Sequence, residues 1–197
     1  MALKLDISKA YNRVEWGYMQ QVLVKMGFHE RWVKLMMECI TSATYSTLIN
    51  GEPHGHIIPT GGLQQGDLLS LYLCLMCIEG LHRLISIAAR DNEISGVSIC
   101  KAGPRLTHFF FVDDNLIFCR AKEEECQKLL DLLASYERAS SQKINRSKTS
   151  LFSVNQHPKT YKMWSNKPLV CRSSTSMRVT WAYPLLLAEA RKTALQR

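Results

Sequence analysis

Two adjacent carboxylates, Asp113 and Asp114, stand between the apolar stretches Phe109-Phe110-Phe111-Val112 and Leu116-Ile117-Phe118. Like charges this close raise each other's pKa, and a divalent cation between them would remove the conflict. Hard Mg²⁺ takes a few carboxylate oxygens plus substrate phosphates, so a third carboxylate from another strand is wanted. Asp6, at the end of the alternation Leu3-Lys4-Leu5, supplies one. Asp113-Asp114-Asn115 is equally suited to a plain hairpin turn, and pattern alone slightly favours the turn. His54-Gly55-His56 imitates a metal pair, but a solvent-facing hairpin accounts for it. Cys74 and Cys77 lie in an apolar run with no second pair at zinc-ribbon spacing, so they read as buried thiols.

The surroundings of these carboxylates carry more information. Lys4-Leu-Asp-Ile-Ser-Lys-Ala-Tyr-Asn-Arg-Val-Glu-Trp16 resembles the first catalytic motif of non-LTR (LINE-type) retroelement reverse transcriptases, especially those of plants. Pro59-Thr-Gly-Gly-Leu-Gln-Gln-Gly-Asp-Leu-Leu-Ser-Leu-Tyr72 resembles their second motif. Phe111-Val-Asp-Asp114 resembles their aspartate-pair motif, and Ser141-Gln-Lys-Ile-Asn-Arg-Ser-Lys148 their fourth. The four stand in the family's order over residues 2–154.

The resemblance implies an α/β (α+β) fold: a partial right-hand polymerase palm, an antiparallel sheet with packed helices. It implies RNA-directed DNA polymerization with an RNA template, a DNA primer and dNTPs. Asp6, Asp113 and Asp114 match the metal-binding carboxylates for two Mg²⁺ ions, with Mn²⁺ as a substitute. One ion would activate the primer 3′-hydroxyl and the other would carry the triphosphate. The backbone carbonyl of Ile7 would assist. Tyr11 matches the aromatic gate that excludes a ribose 2′-hydroxyl, and Gln65 and Gly66 match the loop against the incoming nucleotide and template. Lys148 matches the lysine that protonates departing pyrophosphate.

The chain departs from the family pattern at Asn12 (usually Asp), Gly61 and Gln64 (Arg), Leu68 and Leu71 (Pro), Val112 (Ala), Asn115 (Ser) and Ser141 (Gly). The three residues matched to metal ligands, Asp6, Asp113 and Asp114, are unchanged. Residues before the first motif that would form fingers, and a thumb after it, are not recognisable, so self-association through exposed palm surface is expected.

These residues need elements to hold them. Leu3 to Ile7 alternates as a strand. From Glu15 a helix is predicted with Tyr18, Val22 and Met26 on its face, stopping at Gly27. A second covers 30–42 around Trp32, Leu35, Met36 and Cys39. Tyr45–Asn50 and His54–Ile58 flank Gly51 as a hairpin. Loop 59–67 leads into a helix of about 20 residues with the stripe Leu73, Cys77, Leu81 and Leu84. Strands 106–112 and 116–119 are separated by a polar turn, Asp113-Asp114-Asn115. A helix over 122–139 is buried through Cys126, Leu129, Leu130, Leu133 and Tyr136, and a strand covers 149–154.

The chain has 197 residues and is 46% hydrophobic and 21% charged, which suits one globular domain. No run of 18 uninterrupted apolar residues occurs, which argues against a membrane span. An acid at position 6 argues against a secretory signal. Seven cysteines at irregular spacing suit a reducing compartment, and an intracellular location is expected, nucleus or cytoplasm unresolved. The net charge of +8 is uneven: residues 144–197 carry ten Lys/Arg against one acid, Glu189. Residues 1–154 therefore read as the palm-like domain and 155–197 as a divergent, poorly ordered basic tail. Such a tail attracts phosphate backbones without reading sequence. The competing reading is a catalytically inactive relic that binds nucleic acid nonspecifically through that tail.

Overall fold

The computed structural model describes residues 1–98, 100, 103–111 and 114–152, with the backbone alone at Phe111 and Asp114. The expected tail at 155–197 lies outside the described residues. The strands are β1 (Ala2–Leu5), β2 (Ile7–Ser8), β3 (Tyr45–Ile49), β4 (Glu52–Ile57), β5 (Val97–Ser98), β6 (Arg105–Leu106), β7 (His108–Phe111), β8 (Asp114–Phe118), β9 (Lys143–Ile144) and β10 (Ser150–Phe152). The helices are α1 (Trp16–Lys25), α2 (Glu30–Thr41), α3 (Leu68–Arg90) and α4 (Glu123–Ser140).

The main sheet has the order β10-β1-β8-β7, antiparallel throughout. Leu3 pairs with Ile117 on one side and Leu151 on the other, and Leu5 pairs with Asn115. All five of these side chains are buried while Lys4 between them is exposed. The alternation read from the sequence is therefore the two faces of this sheet. Leu3, Leu5, Ile117 and Leu151 meet Leu81, Ile85 and Ala88 of α3 and Leu129, Leu133 and Tyr136 of α4 in one core cluster.

The first half of α3 serves a second cluster, where Leu73, Cys74 and Cys77 meet Val14, Met19, Leu23, Val33 and Leu63. One helix is thus the spine of both cores. Its start is capped by Asp67, whose Oδ2 accepts from the Ser70 amide and hydroxyl at 2.9 Å each, and these bonds hold the Asp67 carboxyl below its usual range. By length and composition α3 could cross a membrane, a possibility that a search for uninterrupted apolar runs overlooks. Its stripe faces protein in both clusters.

Several expectations are corrected by the packing. α1 buries Met19 and Leu23, and Met26 is 44% exposed. Tyr18 of the expected face does pack against both cores, so the face is displaced toward Met19 and Leu23. α2 buries Val33, whereas Leu35 and Cys39 are exposed. In both helices apolar residues outnumber core positions, so periodicity fits more than one face. Asp114 and Asn115 are not turn residues: β8 begins at Asp114, which pairs with Phe111. Ladder bonding outcompetes the turn preference of an Asp-Asn pair, and Asn115 is buried opposite Leu5. His54 and His56 lie in the exposed β3–β4 hairpin, as expected, and Cys74 and Cys77 are buried.

Ser141 ends α4 with φ +59°. This left-handed conformation favours glycine, which avoids the Cβ clash. Ser141→Gly is expected to raise stability by about 0.5–1 kcal/mol in urea unfolding. No gain would show that the serine is unstrained.

His82 on α3 and His108 on β7 share a hydrogen bond, Nδ1 to Nε2, at 2.6 Å. Burial, then the neighbouring His82, lowers the His108 pKa from 6.5 to about 4. The unfolded chain therefore takes up this proton first as pH falls. The stability contribution is complete above pH 6.5 and is lost between about 6.5 and 4. The expected loss is roughly 1–2 kcal/mol after allowance for partial exposure. It should appear in denaturation midpoints at pH 7.5 and 5, and His108→Gln should flatten that difference.

Candidate active site

Between β1 and β2 the chain breaks its ladder at Asp6. The Asp6 carbonyl accepts from the Asn145 amide at 2.8 Å, and Ile7 pairs with Ile144 one step on. The fourth motif thus fastens the first from beneath. On the other side of β1 the register Leu5↔Asn115 places Asp6 and the start of β8, at Asp114, at the same end of neighbouring strands. Asp113 lies outside the described residues.

Asp6, Ile7, Ala10 and Tyr11 line a pocket of about 180 Å³, closed by Leu71, Cys74, Leu75 and Ile78 of α3 and by Asn115. Burial, then the neighbouring Cys74, pushes the Cys77 thiol up to about 12, so it is no nucleophile beside this pocket. Asn115 is 3% exposed, and its Oδ1 finds no hydrogen-bond partner among the described residues. An orphaned buried oxygen is costly. Asn115 lies in the wall shared with Asp6, and a carboxylate and an amide oxygen are the hard donors that a divalent ion takes. Among the described residues, no group of three His, Cys, Asp or Glu is arranged to hold a metal.

Tyr11 is held by its backbone. Its carbonyl accepts from the Leu63 amide at 2.9 Å and the Val14 amide at 3.3 Å. The Gly62 amide donates to the Val14 carbonyl at 2.8 Å, and Trp16 Nε1 donates to the Gly62 carbonyl at 2.7 Å. The second motif is therefore laced to the first.

The chain matches the family model described as reverse transcriptase (RNA-dependent DNA polymerase) over residues 1–179. It belongs to the reverse transcriptase family. Its fold resembles that of apo telomerase from Candida tropicalis, truncated from the C-terminal domain, with a TM-score of 0.51 and 14% identity. That likeness covers 75% of this chain and 29% of the telomerase chain. An uncharacterized mitochondrial protein of Arabidopsis thaliana is 40% identical over 67 residues, 34% of this chain and 55% of the relative. The expected mixed helix and antiparallel sheet architecture of a polymerase palm is the one observed.

Members of this family work on a nucleic-acid template and primer and generally use divalent metals. Of the reverse transcriptase residues expected to act together, Asp6, Ile7 and Tyr11 share one pocket. Gln65 lines another, of about 490 Å³, with Asn12, Trp16, Pro59 and Asp67. Gly66 turns the chain into α3 with φ +94°. Lys148 is exposed in the turn between β9 and β10, its amide donating to the Asn145 carbonyl at 3.1 Å. Sequence reading missed the wall residue Asn115 and the buried Gln142. The place of Asn115 two and four residues before Ile117 and Cys119, on the same buried face, was the available signal for it.

Proposed function

We propose that this chain is the palm of a LINE-type reverse transcriptase that extends a DNA primer on an RNA template with dNTPs. The observation that carries this reading is the meeting of Asp6 with the start of β8 beside the pocket that Tyr11 lines. Asp6, Asp113 and Asp114 would hold two Mg²⁺ ions, for which Mn²⁺ could substitute. Bound there, the ions supply acidification of the primer 3′-hydroxyl and charge neutralisation at the triphosphate. Tyr11, which lines this pocket, acts as the gate that excludes a ribose 2′-hydroxyl and so favours deoxynucleotides. The Ile7 backbone, Gln65 and Gly66 orient nucleotide and template, and Lys148 gives a proton to the leaving pyrophosphate. The exposed apolar side chains Leu48, Ile57, Ile58 and Leu68 support self-association.

The test is Mg²⁺-dependent primer extension on an RNA template, comparing the chain with Asp113→Ala. Extension that disappears in the variant supports the reading. A folded parent that extends nothing, yet binds RNA in a strongly salt-dependent way, supports the nonspecific binding relic instead.

A further inference from the structure

We infer that Gln142 is a positioning residue for the Tyr11 gate, which it sets through the backbone of Ala10. This inference rests on the proposed reading of Tyr11 and adds a residue whose side chain lines neither pocket.

Gln142 is 1% exposed and lies just after the end of α4. Its Nε2 donates to the Ala10 carbonyl at 2.7 Å, and its Oε1 accepts from the Tyr136 hydroxyl. The orientation of the amide follows from chemistry alone. A carbonyl only accepts, so the nitrogen must face Ala10, and the tyrosine is left to donate to the oxygen. Tyr136 is itself 2% exposed in the main core. Its ring meets Tyr18 edge-on at 6.1 Å. The Gln142 backbone is fixed too, its amide donating to Ser140 Oγ at 3.2 Å.

The Ala10 carbonyl belongs to the peptide that enters Tyr11, and the Tyr11 carbonyl is held by Leu63 and Val14. Both peptides flanking the gate residue are therefore pinned, one by the second motif and one by Gln142. The stretch needs such ties. Lys9, two residues earlier, is in the left-handed region at φ +51°, which a non-glycine residue holds only when its surroundings over-determine it. Releasing the Ala10 carbonyl lets residues 9–11 relax and moves Tyr11 in the pocket wall. Tyr11, Ala10 and Asp6 share that pocket, so a shift there changes which sugar fits.

The test uses Gln142→Met, which keeps side-chain length and removes both bonds, and Tyr136→Phe, which removes only the hydroxyl that orients the amide. Tyr11→Ala is the reference. The first readout is the ratio of kcat/KM for dNTP over the matching rNTP in primer extension. It is expected to fall about tenfold in Gln142→Met, by the cost of a small misplacement, and by less in Tyr136→Phe. The second readout is amide hydrogen exchange at Leu63 and Val14, expected to quicken in Gln142→Met relative to amides of α4. A sugar ratio unchanged in Gln142→Met but lost in Tyr11→Ala overturns the inference and leaves the gate intact. A ratio unchanged in Tyr11→Ala overturns the gate reading itself. If the parent extends no primer, exchange at Leu63 and Val14 decides alone, and unchanged protection in Gln142→Met overturns the role assigned to Gln142.

Discussion

Asp6→Asn is expected to lower Mg²⁺-dependent primer extension about a thousandfold or more, the loss typical of removing one charge-stabilising group from a preorganised site. Its folding stability should stay within about 0.5 kcal/mol of the parent, as for surface changes away from special features. The two halves of this expectation come from different atoms. The backbone of Asp6 is structural, since its carbonyl takes the Asn145 amide. Its carboxylate makes no hydrogen bond or ion pair among the described residues, although it lines the pocket with Ile7 and Tyr11. A side chain that does little for the fold yet sits at the junction of β1 and β8 is free for chemistry. Asn keeps the shape and removes the charge that a divalent ion needs. Asp6→Glu keeps the charge and should retain partial activity. Extension by Asp6→Asn within tenfold of the parent would remove Asp6 from the metal site.

Gly62→Ala is expected to cost about 3 kcal/mol, because two separate penalties fall on one methyl group. Gly62 has φ +83°, where an L side chain is strained, and a Cβ there would meet the Asn12 carbonyl oxygen at 2.7 Å. That neighbour is backbone and cannot swing aside. Gly62 also holds Val14 through its amide and Trp16 through its carbonyl, so a shift loosens the Leu63 amide on Tyr11. Gly61→Ala is the control. Its Cβ would lie 3.5 Å from the Val14 carbonyl, an ordinary contact, and its φ is not in the left-handed range. It should change stability by less than about 0.5 kcal/mol, which suits the Arg found at this position in the family pattern. Urea unfolding of both variants checks the contrast. Equal, small effects would mean that loop 59–67 accommodates a side chain at Gly62 without strain.

Legibility differed by element for physical reasons. α4 was clear because Cys126, Leu129, Leu133 and Tyr136 recur at helical spacing and all are buried. α1 was placed correctly and its face read only in part, since Tyr18 packs against both cores while Met19 and Leu23, rather than Val22 and Met26, are the buried residues beside it. The short strands β2, β5, β6 and β9 have two residues each, too few to show a period. Their existence depends on partners far along the chain, as when Ile7 meets Ile144.

The candidate site is legible in its motifs and hidden in its connections. Asp6, Tyr11 and the pair Asp113-Asp114 stand out as residues in motifs, and the family match agrees with the motif reading. Local spacing could not reveal that the carbonyls flanking Tyr11 are held by Leu63 and by Gln142, 132 residues away from Ala10. It also could not separate a turn asparagine from a buried one, because Asn115 becomes a wall residue only when β8 pairs with β1.

The sequence by itself determined the family, the alternation of β1 and the helical core stripes of α3 and α4. Those features follow from side-chain type repeated at a fixed period, which neighbours in sequence are enough to express. Only the tertiary structure decided which helix face is buried, which polar residues lie in the pocket wall and what holds Tyr11 still. Each depends on hydrogen bonds and burial between segments far apart in sequence, and no local pattern encodes the geometry with which distant segments meet.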